Sequence, residues 1–376
     1  MRDVLDDLLP WWRAGAPVGM ATVTATWHSA PRQPGATMLV GPDGSAVGSV
    51  SGGCVEAAVY EQCREVAAGG AERLVRYGVS DDEALGVGLT CGGTIELFVS
   101  RVDRDTFGHL AEVADAITAG TPVATLTCVA GPPGRVGRRL ALWADRRAGT
   151  LGSGRLDDAA GDDGRGLLAA GRTGVLRYGP DGQRRGTGLA VLVESYAPPA
   201  RMIVFGAIDF AAAVTRIGAF LGYRVTVCDA RPVFTTARRF PDAAEVVVDW
   251  PHRYLTAQAA AGRVDGRTVV CVLTHDPKFD VPLLRVALDL PLAYVGAMGS
   301  RRTHDDRLAR LRGAGVGPAA LARLHSPIGL DLGARTPQET ALSIGAEIVA
   351  ARWGGPGVPL SATTGPVHHR SGDSGA

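Results

Sequence analysis

Apolar positions recur along this chain with two different periods, and the change from one to the other marks its organisation. Helical spacing across Val4 to Arg13 predicts a first helix, and alternation in Val18 to Ala25 and in Thr37 to Val40 predicts strands. A turn rich in Gly and Ser, Gly48 to Gly53, leads into a predicted helix over Cys54 to Ala68, and Thr94 to Val99 reads as a closing strand. Between these two lies the loop Thr90-Cys91-Gly92-Gly93. The pattern changes after Tyr196-Ala-Pro-Pro-Ala200. Short apolar runs at Met202 to Phe205, Arg224 to Asp229, Glu245 to Val248, Thr268 to Thr274 and Leu292 to Val295 then alternate with helical stretches, which is the signature of a parallel, doubly wound sheet. Thr336-Pro337-Gln338-Glu339 signals a last helix, with Thr as cap, Pro at the first helical position and Glu completing a capping box; it runs to about Arg352.

The first half contains a degenerate repeat. Residues 17–99 recur at 122–194, with Pro17-Val18 on Pro122-Val123, Arg76-Tyr77-Gly78 on Arg177-Tyr178-Gly179, and Ile95 to Val99 on Leu189 to Val193. The same offset of 101 puts Gly48 on Gly149, Gly53 on Gly154, Cys54 on Arg155 and Glu56 on Asp157. The second copy keeps the turn, replaces the thiol and has no counterpart of the Cys91 loop. A fold shared by both copies requires neither cysteine, which moves weight from packing to chemistry. The fold class expected is therefore α/β, an N-terminal α+β domain with an internal repeat followed by a C-terminal Rossmann-like parallel sheet domain. The expected boundaries are 1–196, a linker at 197–200, 201–352, and a disordered tail rich in Gly, Pro, Ser and Thr over 353–376.

Composition narrows the classes. The 376 residues carry 39 Lys+Arg against 38 Asp+Glu, so there is no global charge to attract nucleic acid or an anionic membrane. Met1 to Leu9 carries Asp3, Asp6 and Asp7 where a secretory leader has basic residues, and no apolar run reaches the length of a membrane span, so the expectation is a cytosolic protein. Six cysteines without a CxxC pair argue against both a disulfide framework and a zinc ribbon. Cys63, Cys128, Cys228 and Cys271 fall inside predicted helix or strand and read as small core residues.

Candidate chemistry gathers at turns. In Ser51-Gly52-Gly53-Cys54 small residues free backbone amides, and Cys54 at a helix start would gain thiolate character; Cys91, beside Gly92 and Gly93, has similar freedom. Two such thiols suit a soft metal, a metal-bound sulfur or a persulfide; the plainer reading is two small buried residues. Gly206-Ala-Ile-Asp-Phe-Ala211 with Asp229 about 20 residues on has the layout of a dinucleotide fingerprint, but Ile208 stands where the pyrophosphate should approach. Nucleotide binding and an altered, empty loop both stay open. Gly296-Ala-Met-Gly299-Ser300-Arg301-Arg302 offers amides and two arginines to a phosphate at the carboxyl end of a strand, and Thr274-His275-Asp276 lies at the same edge, as an acid/base or a structural pair.

Taken together, Pro31-Arg-Gln-Pro-Gly35, Gly48-Ser-Val-Ser-Gly-Gly-Cys-Val-Glu56, Cys91-Gly-Gly93, Thr274-His-Asp276, Gly299-Ser-Arg-Arg302 and Ile328-Gly-Leu-Asp-Leu-Gly333 with Thr336-Pro-Gln-Glu339 resemble the XdhC/CoxI family, accessory and maturation proteins of xanthine and carbon monoxide dehydrogenases. The resemblance spans residues 17–99 and 201–352 and departs at Ile208-Asp209, where the family has Gly-His. It implies a non-catalytic chaperone that binds and protects molybdenum cofactor, supports its sulfuration by a cysteine desulfurase and delivers it to an apo molybdenum hydroxylase. It also implies that Cys54 and Cys91 lie near the molybdenum and its sulfur, while the C-terminal sheet edge holds the pterin phosphate or dinucleotide. The cofactor form, molybdopterin or its cytidine dinucleotide, is left open, as is a homodimer. The alternative reading is an NAD(P)-dependent oxidoreductase using the Rossmann-like domain with His275 as acid/base.

Overall fold

The computed structural model describes residues 1–27, 32–78, 93–184 and 186–364, and the chain separates into two units that meet in sequence at Pro198 and Pro199. The first unit opens with a 3-10 turn and helix α1 (Leu5–Arg13). Strands β1 (Val18–Trp27), β2 (Thr37–Val40) and β3 (Ala46–Gly48), helix α2 (Glu56–Ala67), and strands β4 (Arg73–Tyr77) and β5 (Thr94–Val102) follow. They form an antiparallel sheet of order β3-β2-β1-β5-β4. Helix α3 (Leu110–Thr118) leads to β6 (Val123–Ala130), β7 (Arg139–Leu142), β8 (Arg147–Gly149), helix α4 (Gly154–Ala170), β9 (Gly174–Tyr178) and β10 (Leu189–Tyr196). Their sheet, β8-β7-β6-β10-β9, has the same order.

The internal repeat is thus a repeated topology, and it extends to detail. Both β1 and β6 carry a bulge, at Thr24 and Val129, each opposite the last strand of its sheet. Gln62 Nε2 donates to the Tyr77 hydroxyl at 2.8 Å, and the Tyr178 hydroxyl donates to Asp163 at 2.9 Å, so the helix-to-sheet tie recurs at the offset of 101. The faces explain the hydrophobic pattern. Ala21 and Val23 of β1 pack with Val59, Cys63 and Val66 of α2, whereas Val18 and Met20 face α1 and α3. Burial on both faces makes β1 nearly continuously buried where the sequence pattern suggested alternation. Each fully buried aliphatic side chain contributes about 1.5–3 kcal/mol.

The second unit alternates β11 (Arg201–Phe205), α5 (Asp209–Phe220), β12 (Arg224–Asp229), β13 (Glu245–Val248), α6 (Pro251–Ala260), β14 (Val269–Val272), α7 (Pro277–Asp289), β15 (Tyr294–Ala297), α8 (Arg301–Gly313), α9 (Pro318–Leu321), β16 (Leu324–His325) and α10 (Pro337–Trp353). All pairings are parallel and the order is β13-β12-β11-β14-β15-β16, which reverses direction between β11 and β14. This is the Rossmann arrangement, and that reversal is where such sheets take ligands. One face of the sheet is covered by α5 and α10, the other by α6 and α7. The strand expected at Leu292 to Val295 sits two residues later, because its pairing partner β14 ends at Val272 opposite Ala297. Beyond Trp353 the chain is described to residue 364, with Leu360–Ala362 in a 3-10 turn; residues 365–376 of the expected tail lie outside the described residues.

Candidate functional site

Residues 49–55 form a loop between β3 and α2, and the reading of its amides as free is corrected by the structure. The Glu56 carboxylate gathers them. Its Oε1 accepts from the Ser49 hydroxyl at 2.7 Å and from the amides of Val50, Ser51 and Gly52 at 3.3, 2.9 and 3.0 Å. Its Oε2 accepts from the Ser51 hydroxyl at 2.5 Å and from the amides of Gly53 and Val55 at 2.9 and 3.2 Å. Burial alone would raise this carboxyl, but the hydrogen bonds from Ser51, Ser49 and the backbone outweigh it and hold the pKa down at about 2. Because these bonds pull the chain into a loop, α2 begins at Glu56 and not at Cys54. Cys54 therefore precedes the helix by two residues. It is partly exposed, and its amide donates to Ser51 Oγ at 3.1 Å. Gly52 and Gly53 adopt φ of +84° and +122°, and a Cβ on either would meet nothing within 4 Å among the described residues.

The second copy carries the same anchor in reduced form. Asp157 accepts from the Thr150 hydroxyl and the Leu151 amide, both at 2.7 Å, the equivalents of Ser49 and Val50. Here α4 starts at Gly154, capped by Ser153, and Arg155 stands in the place of Cys54. Gly93 is buried just before β5, while Cys91 and Gly92 lie outside the described residues.

In the second unit Gly206 serves the close approach of two strand ends. At φ +114° a Cβ there would lie 3.0 Å from the Thr274 methyl and 3.1 Å from its backbone. Asp229, read from sequence as a ribose ligand, is buried and turned inward. It accepts from the Ala207 amide at 2.8 Å and is gripped by Arg231 through Nε at 2.9 Å and Nη2 at 2.7 Å, which keeps its carboxyl below the usual range despite burial. A ribose would have to displace that guanidinium. Ile208 is the N-cap residue of α5, and Asp209 beside it pairs with Arg239 at 3.1 Å.

Asp276 caps α7, accepting from the Lys278 amide at 3.0 Å, and pairs with the Lys278 ammonium, so its place is structural; His275 beside it is exposed. Gly296 lies inside β15, where a Cβ would meet Ile328 at 2.5 Å, so it serves packing and not phosphate approach. Ser300 caps α8 through the Thr303 amide at 3.1 Å. Arg301 and Arg302 are exposed in the first turn with no ion-pair partner among the described residues.

Two residues escaped the sequence reading. Asp280 and Arg307 form a buried pair at 3.2 Å. Asp280 also accepts from the Thr274 hydroxyl, and Arg307 donates to the Met298 carbonyl at 2.8 Å and Ser326 Oγ at 3.0 Å, so the pair ties together the segments that follow β14, β15 and β16. Burial raises the Asp280 carboxyl, against the pull of Thr274 and Arg307. The signal was present: Asp280 occupies the apolar stripe with Leu283, Leu284, Ala287 and Leu288.

The remaining described cysteines are core residues. Burial pushes Cys63 and Cys271 up to about 12 and Cys128 to about 11, and raises Cys228 further. Among the described residues no group of three or more His, Cys, Asp or Glu is placed to hold a metal ion, and no helix is long and apolar enough to cross a membrane.

A duplicated antiparallel α+β unit with a thiol-bearing glycine loop, followed by a Rossmann-type sheet, defines a two-unit α/β protein. A family model described as the XdhC and CoxI family matches residues 11–78 and 116–179, and one described as the XdhC Rossmann domain matches residues 202–348. The chain belongs to the XdhC/CoxI family. Its relatives include a protein of Bacillus subtilis (strain 168) named as a probable subunit of xanthine dehydrogenase, 26% identical, with 89% of this chain and 92% of the relative covered. The "Molybdenum cofactor insertion chaperone PaoD" of Escherichia coli (strain K12) is 25% identical, with 89% and 83% covered. A crystal structure described as a xanthine dehydrogenase from Bacillus halodurans superposes with a TM-score of 0.64 at 27% identity, covering 93% of this chain and 95% of that one.

Proposed function

We propose that this chain is an accessory protein that binds molybdenum cofactor, shields it and hands it to an apo molybdenum hydroxylase of the xanthine or carbon monoxide dehydrogenase type, supporting its sulfuration by a cysteine desulfurase on the way. The observation that carries this reading is the loop of residues 49–55, which holds a partly exposed Cys54 beside two glycines of positive φ, in the copy of the repeat that has kept a thiol. The donor set fits. A bare metal ion needs several side-chain ligands, whereas molybdenum that arrives already held by the dithiolene sulfurs of its pterin needs only an accessible soft donor and room to approach. When bound, the cofactor would supply a molybdenum centre able to carry a terminal sulfur; Cys54, with Cys91 as its partner in this proposal, would face it. Considered by itself, the second unit offers the Ser300-Arg301-Arg302 turn, whose amides and guanidinium groups suit a phosphate. On this reading the dehydrogenase in the relatives' names is the client enzyme.

The test is anaerobic binding of molybdenum cofactor to the wild type, Cys54→Ala, Cys91→Ala and Arg301→Ala/Arg302→Ala, read by co-eluting molybdenum and by fluorescence of the oxidised pterin. Stoichiometric binding to the wild type that falls in the thiol variants is the expected result. A well-folded wild type that retains no molybdenum, or thiol variants that bind as tightly as it does, would overturn the proposal; NAD(H) and NADP(H) titrated in parallel test the oxidoreductase alternative.

A further inference from the structure

The loop beside Cys54 has the shape of an anion nest, a run of backbone N–H groups converging on one point. In this chain the point is taken. Seven donors from residues 49–55, five of them amides, converge on the Glu56 carboxylate. We propose that Glu56 is a positioning and specificity residue: it is a resident anion that fixes Cys54 at the open end of the loop and closes the nest to anions from outside. An anion from outside then finds the loop's amides already occupied.

The second copy shows what the extra methylene achieves. Asp157, one carbon shorter, reaches only the Thr150 hydroxyl and the Leu151 amide among the described residues. The next residues there are free to wind into α4 three residues earlier, nearly a full turn, and the position of Cys54 carries Arg155. In the first copy the longer Glu56 reaches the Gly52 and Gly53 amides as well and keeps them out of the helix. The scaffold is common to both, and the carboxylate length separates a helix start from a presented thiol. What Cys54 does there rests on the proposed function; how it is held does not.

The experiment measures the rate of Cys54 alkylation by iodoacetamide in the full chain, followed on its own peptide by mass spectrometry. Wild type, Glu56→Asp, Glu56→Gln and Glu56→Ala are compared with and without added acetate or inorganic phosphate. The wild-type rate is expected to be indifferent to both anions. Glu56→Ala should differ from it by roughly fivefold or more, as expected when several hydrogen bonds are lost, and acetate should move it back by refilling the nest. Phosphate should alter the Glu56→Ala rate and leave the wild type unchanged. Unchanged rates in both Glu56→Ala and Glu56→Gln, or a changed rate that neither anion moves, would overturn the proposal. Should Glu56→Ala not fold, amide hydrogen exchange in Glu56→Gln decides. Exchange is expected to rise at residues 50–55 and not at 151–156, and equal change in both loops overturns the proposal. None of these readouts uses the cofactor, so a chain that binds no molybdenum would sink the proposed function and leave this result standing.

Discussion

Glu56 shows how one side chain decides the state of a loop through its ionisation. Its carboxyl titrates at about 2 in the folded chain against 4.5 in its ordinary state. A lowered folded pKa means stability that is fully present above the unfolded value and lost as pH falls through the folded one, so the loss falls between about pH 4.5 and 2. The urea midpoint of the wild type should therefore exceed that of Glu56→Gln at pH 6, and the gap should shrink steadily below pH 4.5; a gap independent of pH would assign the effect to shape. The residue types of the site were legible at this scale, because Ser51-Gly52-Gly53-Cys54 is unusual in any context. Their bonding was not. Nothing local says that Glu56 will fold back over its own N-terminal turn, or that Arg231, two residues on, will claim Asp229 before any ribose can. Such pairings depend on backbone angles that the glycines permit and the rest of the unit selects.

Elements were read more securely than their ends. The alternation of apolar strands and helices after Arg201 specifies a parallel sheet, since only strands covered on both faces are so uniformly apolar. The shift at β15 and the two-residue strand β16 were not legible, because they are set by neighbours in the sheet. The tie between α7, α8 and the strand ends follows from Asp280 and Arg307, each a charge on the buried side of its helix. Breaking a buried ion pair leaves the survivor uncompensated, so Asp280→Leu or Arg307→Leu should each cost about 3–5 kcal/mol. Their combination should cost clearly less than the sum of the two, as measured by urea unfolding of the three variants.

For the molecule as a whole, the duplication is the organising fact, and it was legible because Arg-Tyr-Gly and the closing apolar strand survive in both copies. Gly48 and Gly149 end β3 and β8 with φ of +82° and +88°, and a Cβ on them would approach the carbonyls of Thr37 and Arg139 to 2.3 and 2.5 Å. Alanine at either site should therefore destabilise the first unit by a similar amount, about 1–3 kcal/mol, whereas Gly15→Ala, with φ of +74° and nothing near its Cβ, should cost less. Calorimetric scans of the three variants check this.

The pair of loops also gives the protein an internal reference. Residues 48–56 and 149–157 share an opening glycine of positive φ, a hydroxyl, an amide and an acidic anchor, and they differ where Arg155 takes the place of Cys54. Any treatment that merely loosens the scaffold must register in both loops of the same molecule, at the same concentration and in the same tube. A response confined to the first reports what is particular to it, the Glu56 anchor and the Cys54 thiol, so each measurement carries its own blank.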